Sequence, residues 1–278
     1  MITVKNKIVF LLPVLMAASF HSSPAQVPPQ PPVDFRHQNV SVEFQRGSFN
    51  IRRFHYPSQQ DNSFKVPKAL ILFGGGGGGW NEWEEKVCDN LRKDGYEILG
   101  VDFNIYSQSD YDINILQQDF QTLAQYGLKP YGEHPPPVIV GGWSTGAEQA
   151  VAVGGGPHPP TGLVGLLLIS PGSWGGYGWY ASHDYGPHLM SKGTFDLTDF
   201  APNLTHLRIV QWHADLDLLD SRSWLSSLKG PHREYDLGYA IHDYDGASDA
   251  FLARLYDSLS WILNKPDAPA PSQNRTTS

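Results

Sequence analysis

Along most of this chain, short continuous apolar runs alternate with apolar stripes at helical spacing. Residues 40–44 and 49–56 come first and differ: apolar and polar side chains alternate there around Arg46-Gly47, which predicts an antiparallel hairpin. Residues 69–73 are then continuously apolar, as in a strand covered on both faces. Residues 82–93 put Trp83, Val87 and Leu91 on one side of a helix. A strand at 97–103 and a helix at 113–126 (Ile113, Leu116, Phe120, Leu123) repeat the unit. A strand at 138–142 and a helix at 147–152 repeat it again. Strands at 163–169, 207–212 and 233–239 follow, and 248–263 closes the pattern with Phe251, Leu252, Leu255, Leu259 and Ile262 at helical spacing. The expected architecture is α/β: a mostly parallel central sheet with an N-terminal antiparallel hairpin and helices on both faces.

The ends of the chain lie outside this pattern. Lys5 and Lys7 precede an apolar run at 8–20, and Ser23-Pro24-Ala25 supplies small residues for cleavage. Residues 1–25 are therefore expected to be a signal peptide, and the product to be periplasmic or secreted. Residues 26–36 read as a Pro-rich linker, 37–264 as the domain, and 265–278 as a disordered tail. Within the domain, 172–202 is rich in Gly, Trp, Tyr and His without a period, and is expected to form a cap or lid insertion. With 278 residues, 40% of them hydrophobic, the chain is long enough for one large globular domain. Its net charge of −8 has no clustered Lys and Arg to offset it, which argues against a nucleic-acid partner. Cys88 has no second cysteine to pair with and is expected in the core.

Candidate chemistry centres on Gly142-Trp143-Ser144-Thr145-Gly146. A strand before G-x-S-x-G and a helix after it form the context of a nucleophile elbow, a turn so sharp that flanking side chains would collide. Ser144 needs a base, and the base needs an acid to orient it. His242 follows the last strand and precedes the closing helix, where the base is expected. The acid is expected in the loop after strand 207–212, with Asp217 favoured and Asp215 the alternative. His213 is expected beside the site without the base role. Two backbone N–H groups must hold the developing oxyanion. One is assigned to Thr145, the other to the run of six glycines after the first parallel strand, near Gly79 or Trp80. Trp143, Trp174 and Trp179 are expected to line the substrate site. The glycine run with Asp102 also resembles a dinucleotide fingerprint, but six glycines match that pattern trivially and the hairpin does not belong to it. No cofactor is expected, and no metal spacing is present.

The motifs Gly76-Gly77-Gly78-Gly79-Trp80, Gly100-Val101-Asp102-Phe103-Asn104-Ile105-Tyr106 and Gly142-Trp143-Ser144-Thr145-Gly146-Ala147-Glu148, with Ile241-His242-Asp243 downstream, resemble the bacterial virulence protein family of VirJ and AcvB. The resemblance implies an α/β-hydrolase fold, a periplasmic location and hydrolysis of aminoacylated phosphatidylglycerol. Gly77 stands where the family has aspartate, and the second histidine of the family's downstream pair is absent. The expected function is an exported serine hydrolase acting on a small-molecule or lipid ester, in contact with a membrane surface where the ester is a lipid. The alternative is a periplasmic binding or assembly protein on a non-catalytic hydrolase scaffold.

Overall fold

The computed structural model describes residues 37–56, 66–178, 193–244 and 248–263. The signal peptide, linker and tail expected from the sequence lie outside the described residues, as does Trp179. No described helix is long and apolar enough to cross a membrane.

The hairpin forms from β1 (His37–Phe44) and β2 (Gly47–Phe54), in register from His37↔Phe54 to Phe44↔Gly47. Gly47 closes the two-residue turn at φ 120°, which a side chain would resist. β3 (Leu70–Gly74), α1 (Glu82–Lys93), β4 (Glu97–Val101), α2 (Phe103–Tyr106), α3 (Ile113–Leu128), β5 (Val138–Trp143), α4 (Thr145–Gly155) and β6 (Leu163–Ile169) follow. β7 (Trp174–Gly176) and β8 (Thr194–Asp196) form a separate antiparallel pair. β9 (Arg208–His213), β10 (His232–Asp236) and α5 (Ser248–Ile262) complete the chain.

The main sheet has eight strands in the order β1-β2-β4-β3-β5-β6-β9-β10. β2 meets β4 antiparallel, and all pairings from β4 to β10 are parallel. Strand periodicity divides the core between the two faces. Leu70, Leu72, Val138, Val140, Leu166 and Leu168 pack with α3 and α4. Ile71, Phe73, Ile139, Leu167 and Ile169 pack with α1 and α5 on the other side, where Cys88 is fully buried.

Two boundaries differ from expectation for local reasons. The strand expected at 97–103 stops at Val101, because the Asp102 carboxylate accepts the amides of Asn104 and Ile105 and caps α2. The last strand stops at Asp236, whose carboxylate accepts the Gly238 N–H at 2.7 Å and turns the chain. The described roots of the 172–202 insertion belong to the core: Phe195 and Leu197 are buried with Tyr177 and Phe200 against them. Gln149 ties the β7–β8 pair to α4 by donating to the Gly176 carbonyl at 2.6 Å.

Candidate active site

β5 ends one residue before Ser144 and α4 begins one residue after it. Ser144 itself has φ 53° and ψ −121°. That is a strained conformation for a residue with a Cβ, costing about 1–3 kcal/mol. Packing enforces it. A Cβ on Gly142 would lie 2.5 Å from the Gly74 carbonyl oxygen, and one on Gly146 would lie 2.1 Å from the same atom. The elbow thus rests directly on the end of β3, and only glycine fits on either side. The Ser144 N–H donates to the Ile169 carbonyl, and its carbonyl accepts from Ala147 and Glu148. The hydroxyl does not cap the helix, which leaves it available to a base or a substrate.

His242 sits in the loop between β10 and α5, and its Nδ1 lies 2.7 Å from Asp217 Oδ2. Asp217 Oδ1 accepts the amides of Leu219 and Asp220 at 2.8 and 3.2 Å. Its side chain is 1% exposed. Burial would raise this carboxyl, but the bond to His242 and the two amides together hold it below the usual carboxylate range. With Nδ1 committed to Asp217, Nε2 is the nitrogen free to receive a proton. The loops that carry Asp217 and His242 are joined by the Leu216 amide donating to the Ala240 carbonyl at 3.0 Å. Trp143 brings His242 to the elbow. Its Nε1–H donates to the His242 carbonyl at 2.8 Å, and the two ring centroids are 5.1 Å apart.

Asp215 lies elsewhere. It is exposed and faces Arg222 at 3.4 Å, while Arg222 holds Asp236 more closely at 2.8 Å. His213 is fully buried rather than lining a cleft. Its Nδ1 lies 2.7 Å from Asp220 Oδ2, which ties the end of β9 to the loop that carries Asp217. Trp143 is largely buried between Trp83, His242 and the glycine loop, which is a packing role in place of the substrate-lining one expected. Trp174 is half-buried at the root of the insertion.

The glycine loop also departs from the expected register. The Gly79 amide donates to the Gly76 carbonyl at 3.2 Å, and the Trp80 amide to Asp102 Oδ2 at 3.3 Å. Both candidates for the second oxyanion donor are therefore already engaged. The Trp80 ring covers Gly100, where a Cβ would lie 2.3 Å from it, and its Nε1–H donates to Glu85. Gly76 donates to buried Glu84, whose other oxygen takes the Asn81 amide in a capping box at the start of α1. Among the described residues, no hydrogen bond engages the amides of Gly77 or Thr145. Gly77 follows Gly76, which lies against the Trp143 ring, and Thr145 opens α4 with an amide that has no acceptor inside the helix. Asp102, the acidic residue of the dinucleotide alternative, is occupied by the amides of Trp80, Asn104 and Ile105.

Five large apolar side chains are exposed on the two loops that carry Asp217 and His242: Leu216, Leu218, Leu219, Tyr239 and Ile241. Leu218 and Tyr239 are 97% and 93% exposed, which is unusual for side chains of that size.

Comparison with known proteins agrees with this architecture. The esterase domain of a Rhodothermus marinus protein superposes with a TM-score of 0.57 at 15% identity, covering 81% of this chain and 97% of that one. Est1E from Butyrivibrio proteoclasticus gives a TM-score of 0.59 at 13% identity, over 82% of this chain and 99% of its own. An α/β serine hydrolase without a lid from Xanthomonas campestris gives 0.57 at 13% identity, over 87% of this chain and 100% of its own. No curated protein sequence matches the chain. The family described as bacterial virulence protein VirJ matches residues 68–153. This chain has the α/β-hydrolase fold, and from β3 through the elbow to α4 it resembles VirJ.

Proposed function

We propose that this protein is an exported serine hydrolase that cleaves a carboxylic ester, with Ser144 as nucleophile, His242 as base and Asp217 as the acid that orients it. The observation that carries the proposal is the 2.7 Å contact between His242 Nδ1 and Asp217, held by Trp143 beside a Ser144 in elbow conformation. In this reading Ser144 Oγ attacks the ester carbonyl carbon while His242 Nε2 takes its proton. The amides of Thr145 and Gly77 receive the oxyanion. The tetrahedral intermediate collapses, His242 protonates the departing alcohol, and an acyl-enzyme remains. Water, deprotonated by His242, then attacks the acyl carbon; collapse frees the acid and returns the proton to Ser144. Asp217 stays ionised and stabilises the imidazolium.

The exposed apolar side chains on the acid and base loops favour an ester with an apolar part, a lipid ester among them, presented at a membrane surface. Residues 5–25 of the sequence support export to the periplasm or beyond. Ser144→Ala is the test. Purified protein should hydrolyse esters and react covalently with a fluorophosphonate, and the variant should do neither while melting at an unchanged temperature. Equal turnover by the variant would overturn the mechanism. A wild-type protein inert to both probes would favour the binding or assembly scaffold.

A further inference from the structure

The residue before the nucleophile makes contacts that the triad does not explain. The Trp143 ring has three neighbours from distant parts of the chain. Its Nε1–H donates to the His242 carbonyl at 2.8 Å. One side meets the His242 imidazole, with centroids 5.1 Å apart and planes tilted by 39°. It also meets Trp83 of α1, at 5.2 Å. A Cβ on Gly76 would lie 2.7 Å from Trp143 Cζ3, so the glycine loop packs against the indole at a distance only glycine allows. A buried tryptophan whose N–H reaches a backbone carbonyl 99 residues away is a tie between loops as well as core filling.

The loop that carries His242 needs such a tie. Tyr239 and Tyr244, on either side of the histidine, have φ 38° and 55°, left-handed values for residues with side chains. Each costs about 1–3 kcal/mol unless its surroundings hold it. Tyr239 and Ile241 are exposed and provide little anchorage. Among the described residues, four inner attachments hold the loop: the Leu216 amide on the Ala240 carbonyl, the Tyr244 hydroxyl 2.9 Å from Ser170 Oγ, the Asp217 carboxylate on His242 Nδ1, and the Trp143 indole on the His242 carbonyl. Two of these act at His242 itself, and of the two only Trp143 belongs to the strand that ends at Ser144.

We propose that Trp143 is a positioning residue for the catalytic base: its indole ties the His242 loop to the elbow and sets the imidazole against Ser144. The inference rests on the triad reading above. It adds that the residue before the nucleophile is chosen for its N–H and its ring, and that Gly76 is glycine to make room for that ring. Asp217 then fixes the tautomer of His242, while Trp143 fixes where the imidazole stands.

Trp143→Phe keeps an aromatic ring and removes the donor. Its kcat on a short p-nitrophenyl ester should fall by about ten- to a hundredfold with KM within about twofold, since displacing a reacting group by about 1 Å costs on that order. The Nδ1–H proton of His242, read by NMR in a Ser144→Ala background, should broaden or shift upfield as its geometry towards Asp217 loosens. That measurement needs no turnover, so it tests the tie even if the ester reading fails. Trp83→Phe is the control, because Trp83 packs on the same ring and on Tyr244 and Phe251 without bonding His242. It should lower the melting temperature comparably while leaving kcat and the Nδ1–H signal near wild type. The tie is refuted if Trp143→Phe retains kcat and the Nδ1–H signal. It is equally refuted if Trp83→Phe reproduces both losses, since general packing would then suffice.

Discussion

Replacing Asp217 and Asp215 separately by asparagine discriminates between two carboxylates only two positions apart. Asp217 accepts three hydrogen bonds: His242 Nδ1 at 2.7 Å on Oδ2, and the Leu219 and Asp220 amides on Oδ1. An asparagine can keep its carbonyl oxygen on the two amides, so the loop should persist. Its NH2 then faces His242 and offers a hydrogen where the imidazole must also present one. The histidine can relieve the clash only by moving its proton to Nε2, the nitrogen that should accept from Ser144. The wrong tautomer costs on the order of 10⁴ in kcat, equivalent to about 5.4 kcal/mol at 1.36 kcal/mol per tenfold. Asp215→Asn removes only a 3.4 Å exposed pairing with an Arg222 that keeps Asp236 at 2.8 Å. Such pairs contribute about 0–1 kcal/mol to stability, so kcat should stay within about twofold. The assay is initial-rate hydrolysis of a p-nitrophenyl ester, with fluorophosphonate labelling as the second readout and circular dichroism to confirm folding. A folded Asp217→Asn within tenfold of wild type, beside an Asp215→Asn reduced a hundredfold, would refute the reasoning.

Two further outcomes follow from buried polar groups near the site. Glu84 is fully buried, and burial pushes its carboxyl up against the opposing pull of the Asn81 and Gly76 amides. A folded pKa above the unfolded value means a contribution to stability that is complete below the unfolded pKa and lost as pH rises through the folded one. The advantage of wild type over Glu84→Gln in thermal melts should therefore shrink as pH rises from about 4 to 7; an advantage that grows over this range would contradict the assignment. The buried Ser170 and Tyr244 hydroxyls satisfy one another at 2.9 Å. Ser170→Ala and Tyr244→Phe should each cost about 1–3 kcal/mol in urea melts, and the double variant clearly less than their sum; strict additivity would show that the pair is not a coupled unit.

How much of this was legible in the sequence depended on how local each feature is. The sheet was legible because buried parallel strands must be continuously apolar: residues 69–73 and 163–169 could hardly be anything else. α1 was legible from the spacing of Trp83, Val87 and Leu91, and the structure adds its ends: Asn81 forms a capping box with Glu84, and Asp94 is the C-cap. The elbow was legible because its two glycines answer a steric demand, seen in the structure as contacts with the Gly74 carbonyl. The β4 boundary was less so. Asp102 continues an apolar run in sequence, yet its carboxylate prefers the amides of Asn104 and Ile105 to a strand.

The glycine loop and Trp143 were illegible for a different reason. In a run of six glycines every residue offers the same backbone freedom, so composition cannot say which amide stays unbonded. The structure narrows it to Gly77 and Gly78: Glu84 takes the Gly76 amide and Asp102 the Trp80 amide from outside the run, and the Gly79 amide closes a turn on Gly76. Two acids, from α1 and the end of β4, thereby fix those two amides, although in sequence one reads as part of a helix and the other as part of a strand. Trp143 likewise reads as the variable position of its motif, or as an aromatic for a substrate to touch. Its partners are at positions 76, 83 and 242, and nothing in the local pattern links them. In the proposed reading the same residue holds the base on a loop with left-handed backbone at Tyr239 and Tyr244. In that reading Trp143 couples the His242 loop to the strand that ends at Ser144, so a displacement of one segment should be felt at the other.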